Sequence, residues 1–155
     1  MQLAELIAAD RVACGVASAS KKRALETLSE LIVQHEPGLS QTEVFESLIA
    51  RERLGSTGLG RGIAIPHGRL KASDKTLAAF VQLAEGIDFD APDGEPVDLM
   101  CALLVPPEST DEHLAVLAQL TEMFRDPDLR ESLRQCNTAD ELYQRLIGWE
   151  PSSTQ

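Results

Sequence analysis

One of the three histidines stands in a setting that chemistry can use. His67 lies in the stretch GRGIAIPHGR (residues 60–69), held between Pro66 and Gly68 at the end of a short apolar run. Proline fixes its own φ and restrains Ile65 toward extended geometry, so the chain delivers His67 to a defined point. Gly68 takes away a side chain that would crowd its approach. Just upstream, GSTGLGRG carries glycines at 55, 58, 60 and 62, whose tight turns and free amides can surround an anion. Arg51, Arg53, Arg61 and Arg69 lie close by in sequence. Guanidinium forks suit phosphoryl oxygens, with charged hydrogen bonds of roughly 1.5–3 kcal/mol each. Three roles are open to His67: capping a turn, binding a metal, or carrying a transferable group. The tripeptide alone also fits a histidine that merely lines a turn, and the arginines also fit an ordinary solvated face.

The other histidines separate by context. His113 falls in the first turn of a helix expected after Thr110, where outward amides and the dipole favour an anion by about 0.3–1 kcal/mol. If the sheet brings that helix start beside His67, two imidazoles can flank one phosphoryl group; an exposed first-turn histidine is the plain alternative. His35, before Pro37-Gly38, suits a cation at a helix C-terminus. Metal spacing (HxxxH, HExxH, CxxC) does not occur, no GK[ST] ends the glycine run, and no serine has a GxSxG setting.

These residues need a frame, and the sequence supplies one. Lys21 to His35 has helical apolar spacing after Ser20, and Ser40-Gln41-Thr42-Glu43 opens a second helix that should end near Leu54-Gly55. The glycine run cannot be helical, and Ile63-Ala64-Ile65 suits a short buried strand stopped by Pro66. Thr76 to Leu83 and Val97 to Val105 are mostly apolar, as strands covered on both faces are, with a turn at APDGEP between them. A helix capped by Ser109 or Thr110 follows, then a short one from Pro127 and a last one after the capping box Thr138-Ala139-Asp140-Glu141. The pattern is α/β: a single compact domain with a central mixed β-sheet flanked by helices on both faces. Residues 1–148 form that domain and 149–155 a flexible C-terminal tail.

Composition narrows the partners. Fourteen basic against 25 acidic residues give a formal charge of −11, which opposes nonspecific binding to nucleic acid or anionic membranes and suits a partner with a basic face. Cys14, Cys101 and Cys136 are widely spaced and odd in number, so a reducing compartment fits better than a disulfide framework. No signal peptide or membrane span is visible, and a cytoplasmic location with no stable membrane insertion is expected.

The block RERLGSTGLGRGIAIPHGRL, residues 51–70, resembles the active-site segment of phosphotransferase-system IIA proteins of the mannitol/fructose type, and within them the nitrogen-related regulatory IIA proteins. The resemblance continues through KKRALETLSELI, FVQLAEGIDFDAPDGEPVDLMCALLVP, DEHLAVLAQL and ADELYQRL, nearly the whole chain. It implies that His67 is phosphorylated at Nε2, that the donor is the phosphohistidine of a small carrier protein charged from phosphoenolpyruvate by a first enzyme, and that no cofactor takes part. Arg51 and His113 match the family's arginine and second histidine, as phosphoryl-stabilising or orienting residues. Ser56 and Thr57, in the matching GSTG segment, are candidates for a hydroxyl contact to the phosphoryl group. Arg53, Arg61 and Arg69 gain no role from the resemblance.

Two functions follow from it. One is a regulator whose phosphorylation state governs docking to target proteins that the sequence does not identify. The other is a sugar-transport component relaying phosphate to the cysteine of a separate IIB protein. The 155 residues contain neither a IIB nor a IIC module, which favours the regulator. An interaction module with an unphosphorylated His67 is the third possibility, and the presence of Arg51, His67 and His113 together speaks against it.

Overall fold

The computed structural model describes residues 3–108 and 110–150. In chain order the elements are α1 (Leu3–Leu6), β1 (Ile7–Val16), α2 (Lys21–Ile32), α3 (Gln41–Glu52), β2 (Gly58–Gly60), β3 (Ile63–Ala64), β4 (His67–Arg69), β5 (Leu77–Ile87), β6 (Val97–Val105), α4 (Thr110–Phe124), α5 (Pro127–Gln135) and α6 (Ala139–Gly148). Helix starts follow the side-chain oxygens that cap them. Ser20 accepts from the Arg23 N–H and Ser40 from the Glu43 N–H, and Thr138 and Glu141 form a reciprocal capping box. Thr110 is the first residue of α4, and Ser109 lies outside the described residues, as does the tail from 151 onward.

The sheet is mixed, in the order β1-β5-β6-β3-β2, with β4 also on β6. Strand β6 pairs antiparallel with β5 (Phe80 opposite Cys101) and parallel with β3 and β4. Period-two alternation along the central strands divides the core in two. Ala78, Phe80, Leu99, Cys101 and Leu103 face α4, α5 and α6, while Ala79, Val81, Met100, Ala102 and Leu104 face α2 and α3. Both faces are covered, so β6 is buried throughout apart from Asp98.

Three expectations need correction. The run at 63–65 does not stop at Pro66. Proline lacks the N–H for one rung, but its carbonyl still accepts from the Leu103 N–H at 2.9 Å, and pairing with β6 resumes at His67. The helix from Lys21 ends at Ile32, not at His35. Val33 is its cap, and His35 adopts a left-handed backbone (φ 63°) with Nε2 2.7 Å from Asp10 Oδ2, so it is no terminal helix cation. Strand β1 had no sequence signal: its run IAADRVACGV mixes Asp10, Arg11 and Gly15 among apolar residues. Arg11 is nevertheless buried, its guanidinium donating to the Ala78 and Leu6 carbonyls.

Among the described residues no helix is long and apolar enough to cross a membrane.

Candidate functional site

His67 is the first residue of β4, registered opposite Leu103 on β6, a strand buried along nearly its whole length. Its backbone is held there by the β6 ladder. The ring is fixed locally as well: Nδ1 lies 2.9 Å from the Ile65 carbonyl oxygen. An oxygen only accepts, so Nδ1 carries the proton and donates, which leaves Nε2 as the nitrogen with the lone pair. The ring is half-buried.

Gly68 has a different purpose from the one its neighbourhood suggests. A Cβ there would overlap Ser47 Oγ and sit 3.1 Å from the Ser47 main-chain carbon and oxygen. Ser47 Oγ itself donates to the Arg69 carbonyl at 2.8 Å. The glycine therefore lets α3 pack onto β4. Gly68→Ala is expected to cost about 1–3 kcal/mol through overpacking, read as a lowered urea midpoint with an unchanged slope; a midpoint equal to wild type would mean that α3 shifts freely.

His113 comes from the first turn of α4, and its ring centre is 5.3 Å from that of His67, with the planes at 72°. It is buried (7% exposed), and neither ring nitrogen has a hydrogen-bond partner among the described residues. Native structures rarely leave such groups unpaired, and each costs about 1–3 kcal/mol. The conditional expectation that the sheet brings the start of this helix to His67 is met. The position is helped by Arg69, which donates to the Pro107 carbonyl at 3.1 Å and so ties β4 to the segment leading into α4.

Arg51 is in the last turn of α3, and its Nη1 donates to the Gly55 carbonyl at 2.8 Å. That bond folds the guanidinium back over the loop, close enough for its charge to act on His67. Ser56 and Thr57 direct their hydroxyls elsewhere. Ser56 Oγ donates to the Phe89 carbonyl at 2.9 Å and accepts from the Gly58 N–H at 3.0 Å. The Thr57 hydroxyl donates to Glu52, whose carboxylate also accepts from the Thr57 N–H at 3.3 Å. Glu52 is itself buried and lies 2.9 Å from Lys21 Nζ, which caps this network while sitting 4.4 Å from the Phe89 ring centre. The two hydroxyls thus brace the 55–58 loop.

The electrostatics favour neutral imidazoles. Burial pushes the His67 pKa below its ordinary 6.5; the bond to Ile65 and the Glu52 carboxylate oppose this, and the Arg51 charge adds to it. His113 is lowered by burial first, then by His67 and Arg69. Both rings therefore bind protons more readily in the unfolded chain. Their contribution leaves stability intact above pH 6.5 and erodes it as pH falls from 6.5 through the folded values. The thermal midpoint of wild type is expected to fall more steeply over that window than that of His113→Gln; parallel curves would remove His113 from this account.

Sequence reasoning missed Ile65, Glu52 and Lys21 at this site. The first acts through its backbone, which no residue type announces. The other two meet only because α2 and α3 pack side by side.

A strand-held, half-buried neutral histidine beside a second, unpartnered one and an arginine is set in an α/β fold that has known counterparts. The chain matches, over residues 5–148, the family described as "Phosphoenolpyruvate-dependent sugar phosphotransferase system, EIIA 2", and it belongs to that family. It is 43% identical over 147 residues to the nitrogen regulatory protein of Pseudomonas aeruginosa, covering 95% of this chain and 96% of that one. The crystal structure of nitrogen regulatory protein IIA-Ntr from Neisseria meningitidis superposes with a TM-score of 0.87 at 43% identity, covering 93% of this chain and 98% of that one. IIA mannitol of Escherichia coli, in a complex with phosphorylated IIB mannitol, gives a TM-score of 0.76 at 28% identity over 93% of this chain and 100% of that one.

Proposed function

We propose that the protein is a regulatory IIA protein that accepts a phosphoryl group on Nε2 of His67 from the phosphohistidine of a small carrier protein. The observation that carries this reading is the Nδ1 contact to the Ile65 carbonyl at 2.9 Å. It holds the ring in the tautomer whose Nε2 lone pair can attack phosphorus. In the transfer, the P–N bond of the donor breaks as the His67 Nε2–P bond forms, in line. The donor imidazole leaves with the electron pair of the broken bond, and each ring keeps its own N–H, so no net proton moves. As His67 gains positive character, its hydrogen bond to Ile65 strengthens, which stabilises the transfer electrostatically.

Arg51 supplies a fixed cation for the phosphoryl oxygens, and His113 supplies a ring N–H that has no competing acceptor among the described residues. Catalysis is positioning and charge. Ser56 and Thr57 support the site by bracing its loop. His113→Ala is expected to slow transfer about 100-fold, the usual order for losing one preorganised donor. Its unfolding free energy should move by less than about 1 kcal/mol, since removal of unpaired polar atoms offsets lost packing. Rapid-quench transfer kinetics beside urea unfolding make the comparison, and unchanged kinetics would end this role.

The accepted group adds about −1.5 to −2 charges at one point on the surface, enough to change docking to a target protein by repulsion or by arginine pairing. Similarity to proteins called nitrogen regulatory supports the regulator. A relay to a separate IIB protein is the second reading, favoured by the likeness to the IIA mannitol found with phosphorylated IIB. The deciding experiment incubates the protein with phosphoenolpyruvate, the first enzyme and the small carrier, and measures intact mass. One acid-labile phosphoryl group is expected; none, with the carrier itself shown to be phosphorylated, would defeat the proposal. Onward loss of that group to an added IIB protein would turn the choice toward the relay.

A further inference from the structure

A second charged recess lies at the opposite end of the sheet. The Gly62 carbonyl meets the N–H groups of Asp98 and Leu99 at the start of β6, whereas His67 is registered with Leu103. Five strand residues at ~3.3 Å each separate the two ends by roughly 16 Å. Helix α4 covers the same interval, with His113 in its first turn and Phe124 as its last residue. Where the 58–62 loop meets the end of α4 and the start of α5, two adjoining clefts of about 790 and 710 Å³ share Arg61 and Arg130.

The larger cleft is electrically mixed. Asp93 and Glu95 line it, and Arg134 is already paired there with Asp98 at 3.0 Å. The smaller one is not. Its charged lining is Arg61, Arg125 and Arg130 with no carboxylate, and Leu59 and Pro127 add apolar surface. None of these three arginines makes an ion pair among the described residues. Two carboxylates that act on these cations, Asp93 on Arg61 and Asp126 on Arg130, lie outside this lining. In a chain of net charge −11, three cations gathered on one recess run against the prevailing sign.

Two of them are held in place. Arg130 Nη1 donates to the Phe124 and Arg125 carbonyls, both at 2.9 Å. Arg61 sits between Gly60 (φ 90°) and Gly62 (φ 81°) and itself has φ 60°. Its N–H donates to Asp93 Oδ2 at 2.9 Å and its carbonyl accepts from Arg134 Nη2 at 2.6 Å. A left-handed backbone clamped at both ends is where glycine is the default. An arginine there carries conformational strain, yet its guanidinium makes no hydrogen bond among the described residues, and strain of this kind is a pointer to function. The mutual proximity of the cations is felt: after burial, the charges of Arg134 and Arg61 lower the Arg130 pKa.

We propose that this recess is an anion-binding site, separate from His67, for a small molecule carrying at least two oxyanion groups, phosphoryl or carboxylate. Guanidinium forks match such groups, the volume is within the range of small-molecule sites, and Leu59 and Pro127 receive the less polar part.

Isothermal titration calorimetry of the full chain at low ionic strength, with pyrophosphate and with citrate as probes, tests it. At least one probe is expected to bind one-to-one with a Kd below about 1 mM. Arg61→Gly, which suits the left-handed backbone and removes the guanidinium, and Arg125→Gln, at an exposed position, should each weaken binding about tenfold. His67→Ala should bind as wild type does. Tighter pyrophosphate assigns a phosphorylated ligand and tighter citrate a polycarboxylate. The proposal falls if neither probe binds, if binding ignores both arginine substitutions, or if it disappears in His67→Ala. That last variant keeps the test independent of the phosphoryl-acceptor reading.

Discussion

His67→Ala will accept no phosphoryl group from a phosphorylated carrier, a loss of about a thousandfold or more in transfer rate, while the domain stays folded. The size of the effect follows from the substitution removing the proposed nucleophile itself, for which neighbouring groups cannot substitute. His113 is not expected to replace it: its ring is the more buried of the two, and its proposed part is to donate an N–H to the phosphoryl oxygens, not to attack. Stability should change little, because the ring is only half-buried and its one hydrogen bond is to a carbonyl two residues away. The β6 register of residue 67 depends on main-chain groups that alanine retains. Intact-mass measurement with the carrier and phosphoenolpyruvate reads the first part, and a urea curve the second. A phosphorylated His67→Ala protein would move the acceptor elsewhere.

Lys21→Met should be the most destabilising substitution near the site, by about 3–5 kcal/mol, a large share of a typical total of about 5–15. Its partner Glu52 has a side chain only 2% exposed and a Lys21 Nζ contact at 2.9 Å. Removing the ammonium strands a buried carboxylate, which is far costlier than losing an exposed pair. Thr57 still donates to that carboxylate from its amide and its hydroxyl, but hydrogen bonds do not replace the missing charge. A second substitution isolates the cause: Lys21→Met with Glu52→Gln should recover part of the loss, since glutamine's oxygen keeps an acceptor for Thr57 without the charge. Urea midpoints of the two variants decide it. A Lys21→Met cost below about 1 kcal/mol would show that water reaches Glu52.

What the sequence disclosed, and what it withheld, divides along a physical line. The capped helices at Ser20, Ser40 and Thr138 and the apolar runs that became β5 and β6 were legible because their signals are local. His67 was legible because Pro66 and Gly68 mark it, and the placement of His113 followed once the order of elements was known. Strand β1 was not, since its buried Arg11 is satisfied by the Leu6 and Ala78 carbonyls and by no pattern of neighbours. The pairing of Lys21 with Glu52 spans two helices, the Ser56 hydroxyl finds its partner only where the 88–90 turn comes to rest, and that of Thr57 goes to the same buried Glu52. Gly68 was read as clearing a path to the histidine, when its need is the approach of Ser47. Sequence singled out the histidine that the structure sets beside His113; it marks poorly the groups that hold it.

The contact from His67 Nδ1 to the Ile65 oxygen has a consequence for how such a site can drift over generations. An orienting partner supplied by a side chain is one codon away from loss. This one is a peptide oxygen, present whichever residue occupies position 65, so no single replacement there deletes it. The groups proposed to surround the phosphoryl position, Arg51 and His113, have no such protection. On the proposed function, mutation can therefore retune how fast the site works, or which protein it answers to, while the ring nitrogen left free to attack is inherited with the backbone.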